Sequence, residues 1–320
     1  MNMPDEMPRI GFGLWKIPQD DTADVVVEAV RAGYRHFDSA ADYANEVQTG
    51  EGLARARAEG LVTRDDLWVT SKLWNTFHAA EHVEEACRKT LADLQLDTLD
   101  LYLIHFPIAL KYVPIEERYP PEWLHDPDAA EPAMERALVP LHETWAAVEA
   151  LVDKGLVKQI GICNYNSALI HDLMSYARIK PAMLQIEAHP YLTQERLIRC
   201  AGDYGIDVTA FSPLGAQSYF ELNMADARES LLGAAPVMVA AQAHSKTPAQ
   251  VLLRWGIQRG TAIIPKTTKP ERMRENLAID DFELSAVEMA AITSLNLNRR
   301  FNDPGTFTEA AFNTFHPIYD

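Results

Sequence analysis

Cysteine is rare in this chain. It occurs three times in 320 residues, at Cys87, Cys163 and Cys200. Three widely spaced thiols, with no CxxC or HExxH, exclude a disulfide scaffold and a structural zinc site, so no metal is expected. The 15 glycines nowhere form GxGxxG after a strand-like run, so the usual fingerprint of a doubly wound dinucleotide-binding sheet is missing. Basic residues are outnumbered 29 to 46, giving a net charge of −17. That balance argues against nucleic acid or an anionic membrane as partner. No apolar run approaches the roughly 18 residues of a spanning helix. The opening MNMPDEMPRI has no basic stretch followed by an apolar one, so no secretory leader is expected. A reducing cytoplasm is the default compartment.

What the chain does have is globular: 48% hydrophobic and 23% charged residues. Strand-like and helix-like segments alternate along it. Short apolar runs cover Ile10–Trp15, Arg35–Asp38, Leu67–Lys72, Leu99–His105, Val157–Asn164, Met183–Glu187, Asp207–Ser212 and Thr261–Lys266. Amphipathic stretches lie between them, for example Asp20–Ala32, Ala79–Leu94 and Leu141–Lys154. Ser167 is expected to cap one helix, and Thr247-Pro248 to open another as a cap followed by proline. Eight βα units fit a single (β/α)8 barrel domain over residues 1–320 better than a doubly wound sheet. Buried parallel strands should read as nearly continuous apolar runs, as these do. Two stretches, 107–138 and 213–234, break the rhythm and are expected to be long functional loops.

Chemistry in such a barrel gathers at the C-terminal ends of the strands. Gly33 to Glu46, GYRHFDSAADYANE, places Asp38 at a strand end and Tyr43 on the loop beyond. Lys72 ends the third strand and His105 the fourth. Each alone is a common cap or packing residue; all four on one rim make a cluster. A phenol is a poor acid at neutral pH. An ammonium about 4 Å away, at an effective dielectric near 20, favours the phenolate by roughly 4 kcal/mol, about three pK units before desolvation subtracts from it. Asp38 would keep Lys72 charged, and His105 would orient a carbonyl. There is no nucleophile–base pair for acyl transfer. The cluster suits proton delivery to a developing alkoxide, hence hydride addition to a carbonyl with a nicotinamide cofactor.

These residues resemble the catalytic Asp, Tyr, Lys and His of the aldo-keto reductases, and the likeness spans nearly the whole chain. IGICN (160–164) and LQIEAHPYL (184–192) are similar to the strands that hold the carboxamide, which implies Cys163, Asn164 and Gln185 there. TAFSPLGAQSYFE (209–221) resembles the strand and loop that stack on nicotinamide and cover the pyrophosphate; it implies Phe211, Ser212, Leu214, Gln217, Ser218 and Glu221. IIPKTTKPERMRENL (263–277) is similar to the adenosine phosphate site. It implies Lys266, Thr267, Thr268 and Arg272 at the 2′-phosphate, and Glu275 and Asn276 at adenine. The loop VPIEERYPPEWL and the tail RRFNDP resemble the xylose reductase branch and imply Trp15, Asp42, Phe106 and Asn302 as substrate contacts. The resemblance thus implies reduction of an aldose or other aldehyde, with NADPH preferred and NADH usable, and leaves a homodimer open. Departures are Cys163 in place of the usual Ser, Phe211 in place of a common Tyr, and Thr267 and Thr268 in place of the branch's usual Ser and Asn. The shorter N-terminus implies a reduced hairpin under the barrel.

Other residues are read as scaffold. His36, His189 and His244 are expected to be structural, and Trp68, Trp145 and Trp255 to be packing. Glu116 to Arg118 reads as a solvated loop face. Glu187 with Asp38 suggests a two-carboxylate glycosidase, but that reading leaves Lys72 and Tyr43 without a role. Two other functions stay open: a general aldehyde reductase for which sugars are poor substrates, and a nucleotide-sensing subunit without turnover.

Overall fold

The structure, a computed structural model, describes residues 7–319. Strands β1 (Phe12–Gly13), β2 (His36–Asp38), β3 (Trp68–Leu73), β4 (Leu99–Ile104), β5 (Val157–Cys163), β6 (Met183–Glu187), β7 (Asp207–Phe211) and β8 (Ala262–Ile263) form one sheet in sequence order. Every neighbouring pair is parallel. The sheet closes on itself: Gly11 N–H donates to the Ile263 carbonyl (2.8 Å), Ile263 N–H to that of Arg9 (2.8 Å), and Gly13 N–H to that of Pro265 (3.1 Å). The expected (β/α)8 barrel is therefore formed.

The two strands at the closing seam are shorter than the sequence suggests. Pro265 has no N–H to continue the β8 ladder. Gly13 is required at this seam, because a Cβ there would lie 2.8 Å from the Ile264 carbonyl oxygen. The reduced hairpin expected under the barrel falls partly on residues 1–6, outside the described residues.

Helices α1 (Gln19–Ala32), α2 (Glu46–Ala58), α3 (Ala80–Leu94), α4 (Leu141–Asp153), α5 (Ser167–Tyr176), α6 (Glu195–Asp203), α7 (Ala235–His244), α8 (Pro248–Gln258) and α9 (Pro270–Leu277) accompany the strands, followed by α10 (Ala286–Thr293) and α11 (Pro304–Phe312). Their ends follow local chemistry. Gly33, with φ 115°, closes α1, its N–H bonding to the Ala29 and Val30 carbonyls. Thr247 and Gln250 form a reciprocal capping box at α8, with proline in the first turn. The cap of α5 is Asn166 rather than Ser167: the Asn166 side chain accepts from Leu169 N–H at 3.0 Å. Helices α7, α10 and α11 are additions to the pattern expected from sequence. No described helix is long and apolar enough to cross a membrane.

Trp68, Trp145 and Trp255 are buried packing residues, as expected. Glu116 and Glu117 are exposed, as a solvated loop face should be, and Arg118 alone departs from that reading. Its guanidinium donates to the carbonyls of Pro121, Leu124 and His125, so it shapes the loop from within.

Candidate active site

Side chains two residues apart on a strand share a face. Asp38 pairs with Thr70 in register, so Lys72 stands one step further along the same inward face. The two meet inside the barrel. Lys72 Nζ donates to Asp38 Oδ1 at 2.6 Å, to the Ser39 carbonyl at 2.7 Å and to the Tyr43 hydroxyl at 3.0 Å. Three donors thus meet three acceptors. Gln185 Nε2 donates to the other Asp38 oxygen at 2.6 Å, across the barrel interior. His105, just past β4, is tied back by its N–H to the Leu73 carbonyl. Its ring stands edge-on to that of Tyr43, with centroids 5.9 Å apart.

The electrostatics set each protonation state. Burial pulls the Lys72 ammonium down, but the Asp38 charge and its other partners outweigh this and hold it above its ordinary value. Burial raises the Tyr43 phenol above 10, with Lys72 pulling the other way. The ammonium's pull alone would favour the phenolate, but burial outweighs it and Tyr43 rests protonated. Burial, assisted by the Lys72 charge, pushes His105 well below its ordinary value, so its ring is neutral at pH 7. Asp42, on the short turn carrying Tyr43, is pushed up to about 7 by burial and by Glu122.

One group behind this cluster is missing from the sequence reading. Glu46, at the start of α2, is buried and accepts from Ser39 Oγ (3.1 Å), Ser71 Oγ (2.6 Å) and Thr90 Oγ1 (3.0 Å). Burial pushes its carboxyl up to about 7, against the pull of these hydroxyls. A carboxylate opening a helix reads as a dipole partner in sequence; only the fold turns it inward.

Above the cluster lies a cleft of about 1220 Å³. Asp38, Tyr43 and His105 form its floor. Trp15, Asp42, Phe106 and Asn302 line it too, with Asn164, Gln185, Phe211, Ser212, Leu214, Gln217, Ser218 and Glu221, and with Lys266, Thr267, Arg272, Glu275 and Asn276. Nearly all the residues singled out in sequence are thus brought together. Lys72 does not line the cleft itself and meets it through Asp38 and Tyr43. Cys163 is an exception: it shares the inward face of the barrel with its register partner Gln185, but its side chain is buried in the interior cluster with Leu101, Leu103 and Met183 and does not line the cleft. Thr268 is another, exposed on the turn before α9 and off the cleft wall.

Two of these polar groups are already committed. Asn164 Nδ2 donates to the His105 carbonyl at 2.9 Å, and Glu275 accepts from Thr247 Oγ1 at 2.6 Å. The loop after β7 is fastened by Lys16, whose ammonium donates to the Ser218 carbonyl (2.5 Å) and to Glu221 Oε1 (2.6 Å). Sequence reading missed the apolar wall of Trp123, Phe307 and Phe312. Its one signal was the aromatic residue inside a proline-rich loop, PPEWL.

The cleft fits a phosphorylated dinucleotide. Lys266 and Arg272 make no ion pair or hydrogen bond through their charged ends among the described residues. Burial, with Lys16 nearby, lowers the Lys266 ammonium below its ordinary value. Two cations without partners among the described residues, lining one cleft on a chain of net charge −17, suit a phosphate group.

A parallel barrel with a protonated phenol, a buried lysine–aspartate pair and a neutral histidine at the rim of its strands defines a reductase of carbonyl compounds. The chain belongs to the Aldo/keto reductase family, whose family model matches residues 9–297. It is 50% identical over 327 residues to a probable NAD(P)H-dependent D-xylose reductase of Aspergillus clavatus, covering 100% of this chain and 98% of that protein. A protein of the same name from Arthroderma otae is 52% identical over 309 residues, covering 96% of this chain and 93% of the other. The aldose reductase of Schistosoma japonicum has a similar structure, with TM-score 0.84 and 38% identity, over 97% of this chain and 94% of that one.

Proposed function

We propose that this protein reduces the aldehyde of an aldose, D-xylose to xylitol or a similar pair, and simpler aldehydes, using NADPH preferentially and NADH as well. The relatives that share about half its residues over nearly its full length are named NAD(P)H-dependent D-xylose reductases. The observation that carries the mechanism is the buried Asp38–Lys72–Tyr43 chain opening on the cleft beside a neutral His105. When bound, the nicotinamide supplies a hydride. Tyr43 donates the proton to the oxygen that becomes the alcohol, acting as general acid. Lys72 stabilises the phenolate left behind, and Asp38 keeps the ammonium in place. Neutral His105 orients the carbonyl oxygen beside the Tyr43 hydroxyl.

Asn164 and Gln185 are the amides to hold the carboxamide, Phe211 the face against the nicotinamide ring. Ser212, Leu214, Gln217 and Ser218 follow the pyrophosphate. Lys266, Thr267 and Arg272 receive the 2′-phosphate, and Glu275 and Asn276 flank adenine. Glu221 is linked in this reading to NADH through the ribose hydroxyls; its present partner is Lys16, so it serves NADH only by sharing or leaving that ion pair. Asp42 and Asn302 are the polar contacts for sugar hydroxyls in a wall otherwise aromatic.

That aromatic wall favours a second reading, a general aldehyde reductase for which sugars are poor substrates. Initial rates with xylose and with a simple aromatic aldehyde, each with NADPH and NADH, test both. A higher kcat/KM for the aromatic aldehyde together with no saturable turnover of xylose would replace the first reading by the second. Absence of turnover with every aldehyde would leave only a nucleotide-binding role.

A further inference from the structure

Glu187, the last residue of β6, is completely buried, yet it lies outside the proton-donating cluster. Its carboxylate meets donors alone. Oε1 accepts from Phe301 N–H at 2.9 Å and faces His189 Nε2 at 2.8 Å; Oε2 accepts from Asn302 N–H at 2.8 Å. An ionised carboxylate only accepts, so the His189 proton sits on Nε2. Among the described residues no lysine or arginine pairs with Glu187. Its own carbonyl accepts from Gln194 Nε2 at 2.7 Å, which fixes the strand end. The other end of the arrangement is the C-terminal tail. Phe301 packs against Tyr219, stacked at 5.5 Å, and against the His189 ring at 5.3 Å. Asn302 lines the cleft, and its buried Oδ1 has no hydrogen-bond partner among the described residues. Glu187 is the only hydrogen-bond partner of the Phe301 and Asn302 amides among the described residues.

We propose that Glu187 is the positioning residue for sugar recognition: its two carboxylate oxygens pin the backbone at Phe301 and Asn302, and so aim the unpaired Asn302 amide oxygen at a substrate hydroxyl. The proposal rests on the reading above that Asn302 meets the sugar. A carboxylate is required because three donors converge on one side chain. An amide of the same shape would turn an N–H toward one of them and leave that donor unpaired. A carbonyl substrate without hydroxyls draws nothing from Asn302, so disorder there bears on sugars more than on apolar aldehydes.

The test is Glu187→Gln, measured with xylose and with a simple aromatic aldehyde at saturating NADPH. The xylose KM should rise about tenfold, the scale of one lost charged hydrogen bond. The aldehyde KM should move much less. In the Asn302→Ala background the same substitution should add little to the xylose KM, because the two act as one unit. Hydrogen exchange of the peptide carrying residues 301 and 302 should quicken in Glu187→Gln. If the variant does not fold, Glu187→Asp keeps two acceptor oxygens one methylene further back and should show a smaller rise of the same selectivity. Equal KM changes for both substrates, or a full additional effect on top of Asn302→Ala, would overturn the proposal and leave Glu187 a purely structural group. If Asn302→Ala alone leaves the xylose KM unmoved, the sugar contact itself is wrong. If Asn302→Ala raises it and Glu187→Gln does not, only the anchor is wrong.

Discussion

Replacing Glu46 by Gln tests the reading that this buried carboxyl is costly to ionise. Its carboxyl is raised from an ordinary 4.5 to about 7. The unfolded chain therefore releases this proton before the folded one does. Between those values the folded state holds more protons, so stability falls as pH rises. At about 1.36 kcal/mol per unit, the displacement corresponds to a penalty of about 3 kcal/mol, fully present above about pH 7. Gln keeps the shape, can accept from Ser39 and Ser71 through its oxygen, and can donate to Thr90, whose hydroxyl turns. It does not titrate. Urea unfolding of both proteins at pH 5 and pH 8 isolates the effect, since the other titrations largely cancel in the difference. The native protein should lose about 2.5 kcal/mol relative to Glu46→Gln on going from pH 5 to pH 8. A gap constant to within about 0.5 kcal/mol, below the scale of one net hydrogen bond, would show that Glu46 ionises as an ordinary carboxyl and that the argument from burial is wrong.

Tyr43→Phe removes the proton donor and little else; it should fold, bind NADPH and lose about 10²- to 10⁴-fold in kcat, and a variant keeping a tenth of the native rate would sink the role. Arg272→Ala should weaken NADPH at least about tenfold and leave NADH nearly unchanged, because a charged phosphate contact is lost; the NADPH loss should shrink in high salt. Titration by tryptophan fluorescence quenching reads both, and equal weakening would make Arg272 a prop for the adenosine loop. Lys16→Ala frees Ser218 and Glu221, so stopped-flow dissociation of NADPH should quicken by up to about fivefold, the ceiling for an exposed ion pair; no change would mean that the loop closes without it.

The barrel was legible because its strands alternate with amphipathic helices and are continuous in their apolar character. The cluster of Asp38, Tyr43, Lys72 and His105 was legible because three of its members stand at or near strand ends, where the fold fixes their direction. Cys163 and Thr268 were misplaced for a related reason. Both sit inside motifs whose neighbours do face the cleft, but Cys163, on the same inward face as its register partner Gln185, is buried in the barrel interior without lining the cleft, and the turn before α9 leaves Thr268 outside. Trp123, Phe307 and Phe312 come from a proline-rich loop and a late helix, segments with no period to reveal which side meets the cleft. Glu187 was visible as a strand-end carboxylate. The backbone amides it holds lie on a tail more than a hundred positions later, and no local pattern joins them.

The direction of the Tyr43 shift bears on how the proposed acid works. A donor that rested as phenolate would have no proton to give, and burial prevents that. The same burial would make the phenolate costly after donation if nothing met it. Lys72 Nζ, 3.0 Å from the hydroxyl, meets it, and Asp38 keeps that ammonium charged against its own burial. The aspartate–lysine pair is neutral as a unit, so it adds no net charge to the resting cleft. Its positive end points at the oxygen where negative charge develops on proton transfer. His105 is neutral, so it does not repel Lys72 and can face the carbonyl without a charge of its own. The cluster therefore combines an unfavourable resting acidity with a stabiliser that acts mainly once the proton has moved, which is the arrangement that lowers a barrier instead of the ground state.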